Sequence, residues 1–69
     1  RHDCSTKPAS EWMPITHVTA KLQEQGFTIR KIEIKSGCYE VRVTDDKGLS
    51  LELHLDADTA AIVRRREHN

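Results

Sequence analysis

The sequence has no excess of either charge: Lys and Arg number 11, and Asp and Glu number 11. A general nucleic-acid binder needs a basic surplus to neutralise phosphates, so no nucleic-acid partner is expected. Long hydrophobic runs are also missing. The longest, Ala60 to Val63, falls far short of the ~20 apolar residues that span a bilayer, so no membrane insertion is expected. There is no internal repeat, no linker and no low-complexity segment. The 69 residues leave room for one small domain. Domains of this size bury only about 60% of their unfolded surface and are marginal without a staple. Charged residues make up 32% and apolar residues 36%, yet the apolar ones fall in periodic clusters, the mark of a folded chain.

Cysteine is scarce: only Cys4 and Cys38 are present. They form no CxxC motif, and two cysteines alone cannot make a structural zinc site. The simple reading is one disulfide tying an N-terminal arm to the body. In the chain-entropy account such a loop contributes roughly 3–4 kcal/mol, enough to decide whether a small domain folds. A disulfide implies an oxidising compartment, periplasmic or secreted. Two free thiols in a reducing compartment are the alternative. The chain carries no signal peptide, so an exported protein is expected here in its mature form, with the leader removed.

Catalytic signatures are absent too. Asp3, Ser10 and His17, or Cys4 with His17, make a triad only on paper, because there is no nucleophile elbow and there are no oxyanion-hole glycines. A chain this short also has little volume for a substrate pocket of roughly 300–1,000 Å³. No catalytic residue is assigned. His2, His17, His54 and His68 form no local HxH or HxxxH pair, so a metal site would need distant parts of the fold to converge. His2 beside a free amino terminus could bind Cu(II) weakly if Arg1 is the natural terminus. Surface positions account for all four equally well, so no metal ligand and no cofactor are assigned.

Residues 1–13 read as an extended arm and residues 14–66 as the domain proper. Pro14 suits the first turn of a helix, where its missing N–H costs nothing. Ile15, Val18 and Leu22 then fall on one helical stripe, and Gly26 supplies the stop, so a helix is expected over 14–25. Trp12, just before it, reads as an apolar lid on the helix–sheet seam, or else as an exposed anchor for a partner.

Phe27 to Lys35 alternates in two registers, and the change of parity at Arg30–Lys31 predicts a bulge. Ser36–Gly37 makes a two-residue hairpin turn into Cys38–Thr44. Pairing Lys35 with Cys38 sets Ile34 opposite Tyr39 and Ile32 opposite Val41 on one apolar face. Asp46-Lys47-Gly48 reads as a three-residue loop with Gly48 left-handed. In the third strand, Leu49, Leu51, Leu53 and Leu55 point in. Asp56 to Thr59 turns the chain, Ala60 to Arg64 forms a short fourth strand, and Arg64 to Arg66 lead into a solvated end. The expected fold class is α+β, with one N-terminal helix packed on one face of a three- to four-stranded antiparallel meander. The opposite face carries Glu40, Arg42, Glu52 and His54, whose cross-strand charges tolerate water.

The order of Gly26-Phe27, Gly37-Cys38-Tyr39-Glu40-Val41, Asp46-Lys47-Gly48 and Leu53-His54-Leu55-Asp56-Ala57-Asp58-Thr59 resembles the PepSY domain family. Cys4, Pro8 and Trp12-Met13 resemble the arm of its small stand-alone exported members. The likeness runs from about Cys4 to Arg64. It implies structural roles for Trp12, Gly26, Gly37, Cys38, Tyr39, Gly48, Asp56 and Thr59. Ala60 departs from the pattern, which usually has Gly after the Thr; a positive φ there would strain Ala. The resemblance implies a non-enzymatic role, inhibiting or chaperoning a protease or binding another envelope protein. The expected contacts are the face of Glu40, Arg42, Glu52 and His54, or a sheet edge. A periplasmic metal-binding or redox accessory protein using its histidines is the second expectation.

Overall fold

The computed structural model describes residues 3–68. Its elements run in the order η1 (a 3-10 turn, Ala9–Glu11), α1 (Ile15–Glu24), β1 (Thr28–Lys35), β2 (Cys38–Thr44), β3 (Ser50–Asp56) and β4 (Ile62–Glu67). The four strands form one antiparallel sheet in the order β1-β2-β3-β4, with α1 across one face. This is the α+β meander the sequence predicts, with a 3-10 turn rather than the α-helix coming first.

Helix α1 begins after Pro14, which serves as its N-cap, and its carbonyl accepts the amides of His17 and Val18. It closes on a Schellman motif. Gly26, with φ +91°, donates to the carbonyl of Gln23, and Phe27 donates to that of Leu22. Phe27 thereby turns back to pack on the core. Val18 and Leu22 are buried, but Ile15, expected on the same stripe, is 44% exposed at the first helical position.

The hairpins follow from turn chemistry. Ser36 and Gly37 both have positive φ, as a two-residue primed turn requires. The register is Lys35–Cys38, Ile34–Tyr39 and Ile32–Val41, and it slips between Ile29 and Lys31, which places the bulge at Arg30. In the second hairpin, the Asp45 carboxylate accepts the amides of Lys47 and Leu49 and thereby closes a loop over Asp46-Lys47-Gly48. Those two amides hold the Asp45 carboxyl below its ordinary range.

Tyr39, Val41, Val43, Leu51, Leu53 and Leu55 form the sheet side of the core, joined by Ala57 and Ala60. Leu49 lies outside it, 42% exposed, because β3 begins at Ser50 and the loop carries Leu49 away. Ile34 keeps its register but is exposed beside the Ser36–Gly37 turn on edge strand β1. The fourth strand differs most from expectation. It starts at Ile62 and runs to Glu67, so Arg64 to Arg66 are paired strand residues rather than a solvated end. Their ladder to His54, Leu53 and Glu52 is what orders them. Ala60 has φ +63° while buried in the core, so Ala occupies the left-handed position that the closing turn requires.

One helix cannot cover four strands, and the arm completes the layer. Cys4 and Cys38 form the disulfide. The Ser5 amide donates to the Gly37 carbonyl, which also accepts the Ala57 amide. Met13 N–H reaches Ala57, the Tyr39 hydroxyl donates to the Met13 carbonyl at 2.7 Å, and Trp12 meets Tyr39 edge to face at 6.0 Å. Trp12 donates its indole N–H to Lys7 and packs half-buried against the core, so it is the lid on the seam. Lys7 reaches Asp58 at 3.1 Å.

Gly37 is the point on which the arm lies. Its φ is +81°, and a Cβ added there would fall onto the Ser5 backbone. Gly48 has a similar φ, +83°, with open space around it. Gly48→Ala is therefore expected to cost only the left-handed penalty of about 1–2 kcal/mol. Gly37→Ala is expected to cost clearly more and to detach the arm. Urea unfolding of the two variants checks this order. The Cys4→Ser/Cys38→Ser variant is expected to lose roughly 3–4 kcal/mol in the same assay.

Candidate functional site

The face of the sheet turned away from α1 is built from alternate residues of all four strands. Cross-strand register sorts them into two rows. Lys31, Arg42, Glu52 and Arg66 are successive neighbours in one. Glu33, Glu40, His54 and Arg64 are successive neighbours in the other. Glu40, Arg42, Glu52 and His54, anticipated from the sequence, lie at the centre of this lattice on β2 and β3. Lys31, Glu33, Arg64 and Arg66 extend it to both edges. Their common parity with Arg42 and Glu40 across the hairpin was the signal for Lys31 and Glu33. For the two arginines the signal was their spacing, two apart.

Charges of one sign sit directly opposite at Lys31–Arg42 and at Glu33–Glu40, an unfavourable arrangement taken alone. Neighbours of opposite sign along and across the strands offset it. Lys31 reaches Glu33 at 3.6 Å, and Arg66 reaches Glu52 at 3.6 Å. His54 donates from Nε2 to Glu52 at 2.9 Å, and its Nδ1 lies 3.9 Å from a Glu40 carboxylate oxygen. The imidazole is thus flanked by two carboxylates, each about four-fifths covered. The hydrogen bond from His54 holds the Glu52 carboxyl below its ordinary range, helped by the positive charge of Arg66.

Glu40, Glu52 and His54 each place one ligand-type atom within 4.8 Å of the others. His17 and His68 do not join that set, and His2 lies outside the described residues. The lattice encloses only a hollow of about 30 Å³, lined by Lys31, Glu33, Glu40, Arg42 and Glu52, about the space of one water. A broader open groove of about 350 Å³ runs along the β3–β4 side over Leu49, Leu51, Arg65, Arg66 and Glu67. It contains no nucleophile beside a base. Both thiols of the chain are in the disulfide, so neither is free for ligation or redox exchange in this state.

The structural residues named from the sequence lie in turns and at the arm contact. Asp56 accepts the Asp58 amide on its carboxylate and the Ala60 amide on its carbonyl, and Thr59 accepts the Ala61 amide. Gly26 and Gly48 hold left-handed turns, and Trp12, Gly37, Cys38 and Tyr39 receive the arm. No helix among the described residues is long and apolar enough to cross a membrane.

Since the folded Glu52 carboxyl titrates below its unfolded value near 4.5, its stabilising effect is complete above that pH. The effect is lost as the pH falls through the lowered folded value. Glu52→Gln is therefore expected to be less stable than the parent chain at pH 6 and to approach it as the pH drops below 4. Urea unfolding across that range reads the convergence.

The family model described as PepSY_2, peptidase propeptide and YPEB domain, matches residues 2–66. No curated protein and no solved structure matches the chain.

Proposed function

The chain belongs to the PepSY family of peptidase propeptide and YPEB domains, and from that premise we propose that it is a non-catalytic, exported binding module for an envelope protein, a protease being the first candidate. The observation that carries the reading is the lattice of Glu40, Arg42, Glu52 and His54. It is a flat, ordered, charged surface held on the strands opposite the core, with a hollow too small for a substrate. Complementary charges on such a surface select a partner and steer its approach. The Cys4–Cys38 disulfide fits a periplasmic or secreted site. The peptidase-propeptide side of the family favours restraint of a protease over other binding roles.

The reading of the chain as an envelope metal or redox accessory has less support. A single histidine, His54, meets Glu40 and Glu52, and Arg66 at 3.6 Å from Glu52 competes with a cation for that carboxylate.

Cross-linked capture from envelope extract tests the proposal, with the oxidised domain as bait and the reduced, unfolded domain as control. One protein, enriched only by the folded bait, is expected. Charge reversal at Glu40, Arg42, Glu52 or His54 is expected to weaken that capture by about tenfold at a temperature where each variant remains folded. Unchanged capture across all four variants would remove this face from the binding surface.

A further inference from the structure

The two edges of the sheet are not equivalent. Edge β1 is interrupted by the bulge at Arg30, and a bulge bends an edge away from further pairing. Edge β4 also has an irregularity, beside Leu55, but from Arg64 to Glu67 it pairs in register with His54 to Leu51. The His68 amide donates to the Ser50 carbonyl at 2.9 Å. By the two-residue period of an antiparallel ladder, Glu52–Arg66 and His54–Arg64 are then the directly bonded pairs. The N–H and C=O groups of Arg65 and Glu67 therefore point outward from the sheet.

Side chains on this edge are sorted by face. Arg64 and Arg66 lie on the open charged face, opposite His54 and Glu52. Arg65 lies on the helix side, opposite Leu53, with its guanidinium 6.0 Å from the Phe27 ring centroid. The groove lined by Leu49, Leu51, Arg65, Arg66 and Glu67 opens beside the edge, with Leu49 its exposed apolar residue and Leu51 buried beneath. Ile62, earlier on β4, is also on the helix side, opposite Leu55, and is 41% exposed.

We propose that β4 is a docking edge for an extended acidic segment of a partner protein, which adds as a fifth strand along Arg65 to Glu67. Alternate acidic side chains of the segment face Arg64 and Arg66, and the intervening apolar ones cover the exposed Leu49 in the groove. The charge on the edge selects this occupant. A second copy adding through the same edge would bring arginines against arginines, an arrangement that blocks pairing between copies. This inference rests on the binding-module reading and specifies the chemistry of the partner.

The probe is a dye-labelled heptapeptide alternating glutamate and valine, with a lysine–valine heptapeptide as control, followed by fluorescence anisotropy. The acidic peptide is expected to bind at least about tenfold more tightly than the basic one. On binding, amide exchange at Arg65 and Glu67 is expected to slow. Glu67→Gln removes a like charge and keeps the outward N–H, so binding is expected to hold or improve. Glu67→Pro removes that N–H without breaking a bond to β3, so binding is expected to fall by about tenfold. Should Glu67→Pro lower the melting temperature, Arg64→Glu/Arg66→Glu serves instead and is expected to lose the acidic peptide.

Equal binding of both peptides, no binding, or equal affinity of folded Glu67→Pro and Glu67→Gln would overturn the edge assignment. So would protection mapped to β1, or self-association through β4. If the peptide fails while capture of an envelope protein still depends on Glu40 and His54, the edge is wrong and the module reading stands. If capture fails as well, both fall.

Discussion

The structure depends on the contact between the N-terminal arm and the first hairpin turn. A four-stranded sheet offers more apolar surface than the ten residues of α1 can cover. The arm supplies the remaining cover, and it is held at Gly37, where the Ser5 backbone comes too close for any side chain. The same Gly37 carbonyl accepts the amides of Ser5 and Ala57, so the arm, the first turn and the β3–β4 connection meet at one residue. The Cys4–Cys38 bond makes that meeting covalent. Tyr39 completes it, meeting Trp12 edge to face and donating its hydroxyl to the Met13 carbonyl.

With the arm and helix on one side, the other side of the sheet is free of any packing task. Its side chains need only be compatible with water and with one another. Two rows of charges meet that requirement, with His54 between Glu40 and Glu52 and Arg66 beside Glu52. Ion pairs beside water contribute little to stability, about 0–1 kcal/mol at fully exposed sites and only somewhat more where, as here, the carboxylates are partly covered. Their order on rigid strands is therefore better suited to recognition than to folding. The division of labour between the faces is the physical basis of the proposed binding role.

Much of this was legible in the sequence because two independent signals agreed. The β1–β2 register follows both from the Ser36–Gly37 turn and from the alternation of Ile32 and Ile34 against Tyr39 and Val41. The bulge at Arg30 follows from a change of parity that no regular strand can carry. Where only one signal was present, the reading slipped. Leu49 continues the alternation of the leucines, but the loop held by Asp45 takes it out of the strand. Arg64 to Arg66 lack apolar alternation altogether, because β4 is an edge strand paired to one neighbour, so its length is set by β3. The approach of Ser5 to Gly37 leaves no local trace beyond the glycine itself, which a primed turn already explains. Glu40, Arg42, Glu52 and His54 could be placed on one face by parity. The carboxylates on either side of His54 needed the observed register.

The arm is an integral part of the folded layer rather than an appendage. Amide hydrogen exchange on the oxidised and the reduced chain under native conditions tests it most directly. Reduction is expected to strip protection first from the Ser5, Met13 and Ala57 amides and then to lower it through β2 and β3. Protection that is unchanged by reduction at those three amides and across the sheet would contradict it.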